Sequence, residues 1–240
     1  IKIKGFLHKC DYSASGNYVA EYPNDFLEDA LENVKVKWKQ QNPDSDWNEL
    51  QKFCMNKRSE NIIVIAQTGM GKTEAGLQWI GNEKGYFVLP LRTAINAIYD
   101  RVRQDILLGE KIETRLAILH SESLEYYSKH LEEQEMDLFE YENRGKRFSM
   151  PLSISTMDQL FDFVFKYQGS ELKLVTLSYS KVVIDEIQMY DPELLAYLIY
   201  GLKRITQMGG KVAIMTATLS PFVKELLMRE VAFKEENIGI

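Results

Sequence analysis

Residues Ala66-Gln67-Thr68-Gly69-Met70-Gly71-Lys72-Thr73 form a glycine-bearing run that closes on Lys-Thr. This is the pattern of a phosphate-binding loop, with Ala66 where the first glycine usually stands. Gly69 and Gly71 let the backbone curl so that its N–H groups point inward at phosphate oxygens. Gln67, Thr68 and Met70 fill out the cradle. Lys72 offers a point charge to the β and γ phosphates. Thr73 offers a hydroxyl to Mg²⁺ and opens a helix whose N-terminus favours anions. Far along the chain stand Asp185 and Glu186. Adjacent carboxylates repel unless a cation lies by them, so the pair suits Asp185 holding Mg²⁺ and Glu186 polarising a water as general base. The alternative is a surface carboxylate pair. Thr216-Ala217-Thr218 places two more hydroxyls near a strand end. Either they bond the acidic pair and relay nucleotide state, or Thr218 caps a helix opening near Pro221.

These groups need a scaffold that brings distant residues to one edge. Short apolar runs without internal Pro or Gly predict strands at 62–65, 86–89, 116–119, 152–155, 181–184 and 212–215. Amphipathic patterns predict helices at 73–80, 93–108, 123–141, 157–166 and 192–208. Pro192 suits a first helical turn, and Gly209-Gly210 ends that helix. Strands alternating with helices predict an α/β fold: a mostly parallel sheet with helices on both faces. In such sheets ligands bind at the carboxyl ends of the strands. A helical lead-in is expected before the first strand, with one helix over 25–40 and a second opening near Trp47.

The chain has 240 residues, 29 Lys plus Arg against 35 Asp plus Glu, and a net charge of −6. A composition 45% hydrophobic and 27% charged excludes overall disorder and leaves room for a sizeable core. The acidic total excludes a wholly basic clamp but not a local basic groove. Cys10 and Cys54 do not make a disulfide framework and read as reduced thiols of a cytoplasmic protein. His8, His120 and His130 form no metal-ligand spacing with them. No apolar run is long enough for a membrane span, so no membrane is expected as partner. The segment 122–142 concentrates acidic residues, including Glu122, Glu132, Glu133, Glu135 and Glu142. It reads as a solvated helix face, with a mobile flap or partner surface as the alternative. Arg144, Lys146 and Arg147 either neutralise it or touch phosphate.

In type and order, these signals resemble the first motor domain of superfamily-two DExD/H helicases. Residues 66–73 are similar to their first motif. Asp185-Glu186-Ile187-Gln188 resembles the second, with Gln188 where Asp or His is frequent. Thr216-Ala217-Thr218 resembles the third, usually Ser-Ala-Thr. The resemblance implies a RecA-like domain using ATP and Mg²⁺, with Gln188, Thr216 and Thr218 coupling nucleotide state to movement. Gln51 stands where such helicases place an adenine-reading glutamine. Pro90-Leu91-Arg92-Thr93 and Thr156-Met157-Asp158-Gln159-Leu160 are similar to strand-gripping motifs. On that footing Arg92, Thr93, His120, Ser121, Thr156 and Gln159 contact a nucleic-acid backbone. A satisfied loop histidine is the even alternative for His120.

A narrower resemblance joins 89–97, Leu119-His120-Ser121, 155–160 and 183–192 to the helicase-nuclease of type I CRISPR interference. There an HD nuclease domain precedes the helicase. Residues 5–15 are similar to the last helix of that domain, with Asp11 matching one carboxylate that helps hold its divalent transition metals, in a site left incomplete because the other His and Asp ligands would lie upstream of Ile1. The organisation implied is an HD remnant over 1–22, a linker and helical lead-in over 23–58, and a first RecA-like domain over 59–240. It further implies single-stranded DNA and a CRISPR surveillance complex as partners, and regulatory or inhibitor proteins besides. The chain reads as a fragment beginning at Ile1, with only about twenty residues after Thr218, too few for a second motor domain. Arginines from such a domain contribute about 10³–10⁵ in rate in related phosphoryl transfer. Weak nucleotide binding and scant hydrolysis are therefore expected of residues 1–240 alone. A generic DEAD-box RNA helicase domain and an inactive nucleotide-binding docking module remain the competing readings.

Overall fold

The computed structural model describes residues 2–131, 137–167, 169–231 and 233–239. Seven strands form one sheet: β1 (Ile62–Ile65), β2 (Gly85–Val88), β3 (Leu116–Leu119), β4 (Leu152–Ser155), β5 (Lys181–Asp185), β6 (Lys211–Thr216) and β7 (Ile238–Gly239). Their order is β3-β4-β2-β5-β6-β1-β7, and every pair is parallel. Successive side chains on a strand face opposite ways, and both sets are apolar here. Ile62, Val64, Phe87 and Val183 pack into one core layer. Ile63, Tyr86, Val88, Val182 and Ile184 pack into the other. Burial on both faces is what makes the strands readable as unbroken apolar runs rather than alternating ones.

The helices are α1 (Lys2–Ser15), α2 (Leu27–Gln41), α3 (Glu49–Asn56), α4 (Lys72–Ile80), α5 (Arg92–Arg101), α6 (Ile112–Arg115), α7 (Ser123–His130), α8 (Leu138–Lys146), α9 (Met157–Phe161), α10 (Ser170–Leu177), α11 (Pro192–Gln207) and α12 (Pro221–Val231). The helix expected over 93–108 leaves α geometry after Arg101 and widens into a π turn at Val102–Ile106. The helix expected over 157–166 tightens into a 3₁₀ turn at Asp162–Phe165. The long helix expected over 123–141 is two helices. Asp137 starts the second by accepting from the N–H groups of Phe139 at 3.0 Å and Glu140 at 3.1 Å. The readings at Glu132, Glu133 and Glu135 lie outside the described residues. No helix among the described residues is long and apolar enough to cross a membrane.

Residues 2–26 lie on the sheet domain. Gly5 allows α1 to rest against α10: a β-carbon there would stand 2.6 Å from the Glu171 carbonyl oxygen. Lys9 runs from α1 into the interior. Its ammonium reaches Glu21, the Phe148 carbonyl at 3.3 Å, the Thr176 hydroxyl at 3.1 Å and the Tyr179 hydroxyl at 3.2 Å. Three aromatic rings four residues apart then meet three guanidinium groups: Arg147 on Tyr18 at 4.1 Å, Arg144 on Tyr22 at 5.5 Å and Arg115 on Phe26 at 4.8 Å. Arg144 and Arg147 are thus engaged within the chain, while Lys146 remains 54% exposed. Lys146 pairs with buried Glu142 at 2.7 Å, and Arg147 pairs with Glu140 at 3.2 Å. Neutralisation of the acidic stretch is the alternative that fits.

Candidate functional site

Three neighbouring strands, β1, β6 and β5, carry the phosphate loop, the hydroxyl motif and the acidic pair. Ile65 of β1 is level with Thr216 of β6, and Asp185 of β5 is level with Met215. Parallel register therefore brings all three motifs to the same edge, within two strand spacings of about 4.8 Å each. The loop leaves β1 at Ala66, whose N–H donates to the Thr216 carbonyl at 2.9 Å. Gly69 and Gly71 adopt φ of 88° and 79°. Gln67, Thr68, Gly69 and Met70 are exposed, and Thr73 is half-buried in the first turn of α4.

Lys72 is only 7% exposed. Its ammonium donates to the Ala66 carbonyl at 3.0 Å and pairs with Glu186 Oε1 at 3.1 Å. Glu186 takes a left-handed backbone at φ 53°, which turns its side chain back toward the loop. Its Oε2 accepts from Gln188 Nε2, and Gln188 Oε1 faces the Thr216 hydroxyl. That hydroxyl also lies 2.6 Å from the Thr218 carbonyl oxygen. One proton cannot serve both acceptors at once, so the hydroxyl has two alternative bonds. Glutamine at position 188 thus supplies a donor to Glu186 and an acceptor to Thr216 in one side chain.

Thr218 differs from both sequence readings. Its backbone, not its hydroxyl, meets Thr216, with its N–H 3.3 Å from Thr216 Oγ1. The cap of α12 is Ser220, whose Oγ accepts from the Val223 N–H at 3.2 Å. Asp185 is buried, and its carboxyl is pushed up to about 6 by that burial first and by the adjacent Glu186 charge second. A divalent cation would relieve both effects, so Asp185, with Thr73 in the first turn of α4, fits a Mg²⁺ ligand role.

Two supports escaped the sequence reading. Asn48 and Gln51 form a capping box at the start of α3: each side chain accepts from the other's backbone N–H, at 2.9 and 3.0 Å. The Asn-x-x-Gln spacing was the available signal for it. Asn48 Nδ2 also donates to the Met70 carbonyl at 3.0 Å, tying this cap to the phosphate loop. Gln51 is buried, and its Nε2 lies 2.6 Å from where a Gly71 β-carbon would stand. Gly71→Ala therefore meets both a positive φ and this amide, and ATP affinity is expected to fall tenfold or more by titration calorimetry. Unchanged affinity would mean the loop does not contact phosphate through this turn. The second support is Glu74, buried in α4 and paired with Arg101 of α5 at 2.5 Å.

The remaining candidates line the same edge on the other half of the sheet, after β2, β3 and β4. Arg92 and Thr93 open α5 and are exposed. The Arg92 guanidinium donates to Ser121 Oγ at 3.2 Å and to Glu122. The Thr156 N–H donates to the Leu119 carbonyl at 3.0 Å, and Gln159 Nε2 donates to Asp158 at 2.9 Å. Arg92, Thr93 and Ser121 are exposed at this edge, and Thr156 and Gln159 are half-buried there. His120 is buried instead. It is 3% exposed, and its Nδ1 accepts from the Glu122 N–H at 3.1 Å. Nε2 then carries the proton and donates to Asn96 Oδ1 at 2.9 Å. Burial, and then the Arg92 charge, hold its pKa below the ordinary value, so the ring is neutral. His120 braces the loop that brings Ser121 and Glu122 to Arg92. Asp11 is exposed on α1, and no group of three or more His, Cys, Asp or Glu metal ligands occurs among the described residues. Asp11 is therefore at most one ligand of the incomplete metal site that the resemblance implies.

The DEAD/DEAH box helicase model matches residues 48–226, from the capping box to α12. The chain belongs to the DEAD/DEAH box helicase family. Within it, the chain is 28% identical over 228 residues to the CRISPR-associated nuclease/helicase Cas3 of Methanothermobacter thermautotrophicus, covering 94% of this chain and 27% of that protein. It is 27% identical over 258 residues to a putative CRISPR-associated nuclease/helicase Cas3 of Methanocaldococcus jannaschii, covering 97% of this chain and 35% of that one. The chain thus spans about a third or less of these relatives. The crystal structure of T. fusca Cas3-ADP superposes with a TM-score of 0.67 at 20% identity, over 88% of this chain and 24% of that one. That likeness establishes the helicase family's RecA-like fold for this chain.

Proposed function

We propose that this chain is the first motor domain of an ATP-driven translocase on single-stranded DNA, acting beside an HD nuclease in CRISPR interference. The observation that carries the reading is the convergence of Lys72 and Glu186 at 3.1 Å from separate strands, with Gln188 and Thr216 bonded behind Glu186. The match of nearly all of this chain to about a third or less of two CRISPR-associated nuclease/helicases supports the biological setting.

ATP enters with its phosphates against the N–H groups of 67–73 and the N-terminus of α4. Lys72 exchanges its contact with Glu186 for the γ-phosphate, which frees Glu186 to accept a proton from the attacking water. Asp185 and Thr73 would hold Mg²⁺, which would supply positive charge to offset that of the phosphates. Gln188 carries any shift of Glu186 to Thr216 and hence to the strand after it. Along the other half of the edge, Arg92, Thr93, Ser121, Thr156 and Gln159 hold the sugar-phosphate backbone, which permits tracking without regard to sequence. The surveillance complex delivers an unwound target, regulatory or inhibitor proteins dock elsewhere on the surface, and the protein acts in the cytoplasm.

The test is ATP turnover by the natural full-length protein with single-stranded DNA and with RNA. Stimulation by DNA is expected, and stimulation by RNA alone would overturn the assignment. Lys72→Ala in residues 1–240 is expected to weaken ATP binding tenfold or more; equal binding would move the nucleotide site elsewhere.

A further inference from the structure

Beyond the rim described above, α9 runs away from the edge through the turn Asp162–Phe165 into Lys166 and Tyr167. There the surface changes character. Phe165 is 52% exposed and Tyr167 66% exposed. The two rings lie 5.9 Å apart, and Phe165 leans on Tyr197 of α11 at 5.1 Å. Tyr167 borders a cleft of about 460 Å³ lined also by Lys4, Lys166, Tyr200 and Arg204. Exposed aromatic rings of this size are costly on a surface with no partner. The charges are equally lopsided. The one carboxylate in the lining, Glu171, is already paired with Lys4 at 2.5 Å. Among the described residues, Lys166 and Arg204 form no ion pair. Flat rings beside uncompensated cations match one chemistry well: bases that stack, joined by phosphates.

We propose that Phe165, Tyr167 and Tyr200, with Lys166 and Arg204, form a base-stacking platform for single-stranded nucleic acid, extending the contact begun at Thr156 and Gln159. The inference rests on the strand-binding reading above and adds to it a site that grips bases rather than backbone alone. Gln159 and Phe165 are six positions apart on a continuous helical path. That path spans roughly 10 Å, or about three nucleotides at about 3.4 Å each. Sequence tolerance is retained because every base presents a flat face.

The experiment compares binding of oligothymidylates of about 5 and about 15 nucleotides, by fluorescence anisotropy, to residues 1–240. Three forms are measured: the parent, Phe165→Ala/Tyr167→Ala, and Lys166→Glu/Arg204→Glu. The short oligomer is expected to bind all three within about threefold, and the long one to bind both variants tenfold or more weakly. Loss of two phosphate contacts also lowers the salt slope of the long oligomer by about 1.4. Thermal melts identify a variant that has unfolded, and the charge-reversal pair then carries the test without the aromatic change. Equal long-oligomer affinity in folded variants overturns the platform. So does a change in self-association without a change in DNA binding, which would mark a protein-docking face. Arg92→Ala separates the two levels, since it weakens both lengths if the rim holds DNA. A parent that binds neither oligomer overturns the strand-binding reading and this inference with it.

Discussion

Glu186→Gln is expected to reduce ATP turnover of the full-length protein by about 10²–10⁴-fold while leaving Mg-ATP binding within a few-fold of the parent. The side chain keeps its shape and can still accept from Gln188, so the Gln188–Thr216 link behind it survives. What disappears is a basic oxygen 3.1 Å from the Lys72 ammonium, at the point where the γ-phosphate and its attacking water must lie. A carboxamide cannot take the water's proton at neutral pH. Binding is spared for a separate reason. Asp185 is held up to about 6 partly by the Glu186 charge, and removing that charge eases ionisation of Asp185 and its hold on a cation. Pre-steady-state turnover set beside calorimetric binding resolves the two effects. A fall below tenfold would assign the general base to another group. Equal loss of binding would make Glu186 a structural anchor for Lys72.

The part of this site that was readable beforehand is the part in which chemistry is continuous along the chain. Residues 66–73 and 185–188 each bring their reactive groups on one short loop, and a buried strand of β-branched residues announces where each loop begins. Fold class followed for the same reason, because strands buried on both faces leave unbroken apolar runs such as Ile62–Ile65. Missing were features that exist only through distant partners. Whether the His120 ring is exposed depends on Asn96, on a different helix. The two-residue β7 is held by pairing with Ile63 and Val64 and has no pattern of its own. The helix α10 buries four consecutive residues, Leu174 to Leu177, so it lacks an amphipathic alternation, and α1 lies against it. The π turn after Arg101 was also hidden; it follows directly on the residue that reaches Glu74 on α4.

The largest stability effect is expected far from the nucleotide, at Glu21, a residue with no local signature at all. Its carboxylate meets the ammonium groups of Lys9 and Lys84, the latter at 2.5 Å, and accepts from the Tyr179 hydroxyl at 2.6 Å. Lys9 and Lys84 are both buried at their side chains, 7% and 8% exposed. Glu21→Gln leaves two buried cations without their counter-charge, although the Met150, Phe148 and Thr176 oxygens remain as acceptors. Removing one partner of a buried pair costs about 3–5 kcal/mol, and the partial exposure of Glu21 places this change near the lower figure, about 3 kcal/mol. The pH dependence has a definite sign. Burial holds Lys84 down to about 8 against an ordinary value of 10.5, so between those values the unfolded chain binds the extra proton. Stability therefore carries the full desolvation penalty below about pH 8 and recovers as pH rises through that window. Lys9 is shifted the same way by its burial. The Glu21 charge opposes both shifts, so its loss lowers both values further and starts the recovery nearer neutrality. Urea unfolding from about pH 7 to 9.5, where tyrosines remain mostly protonated, reads the difference. The gap between variant and parent is expected to be widest at pH 7 and to narrow toward pH 9.5. A gap that is constant with pH would mean the lysines are already neutral in the fold, and that Glu21 acts through Tyr179 alone.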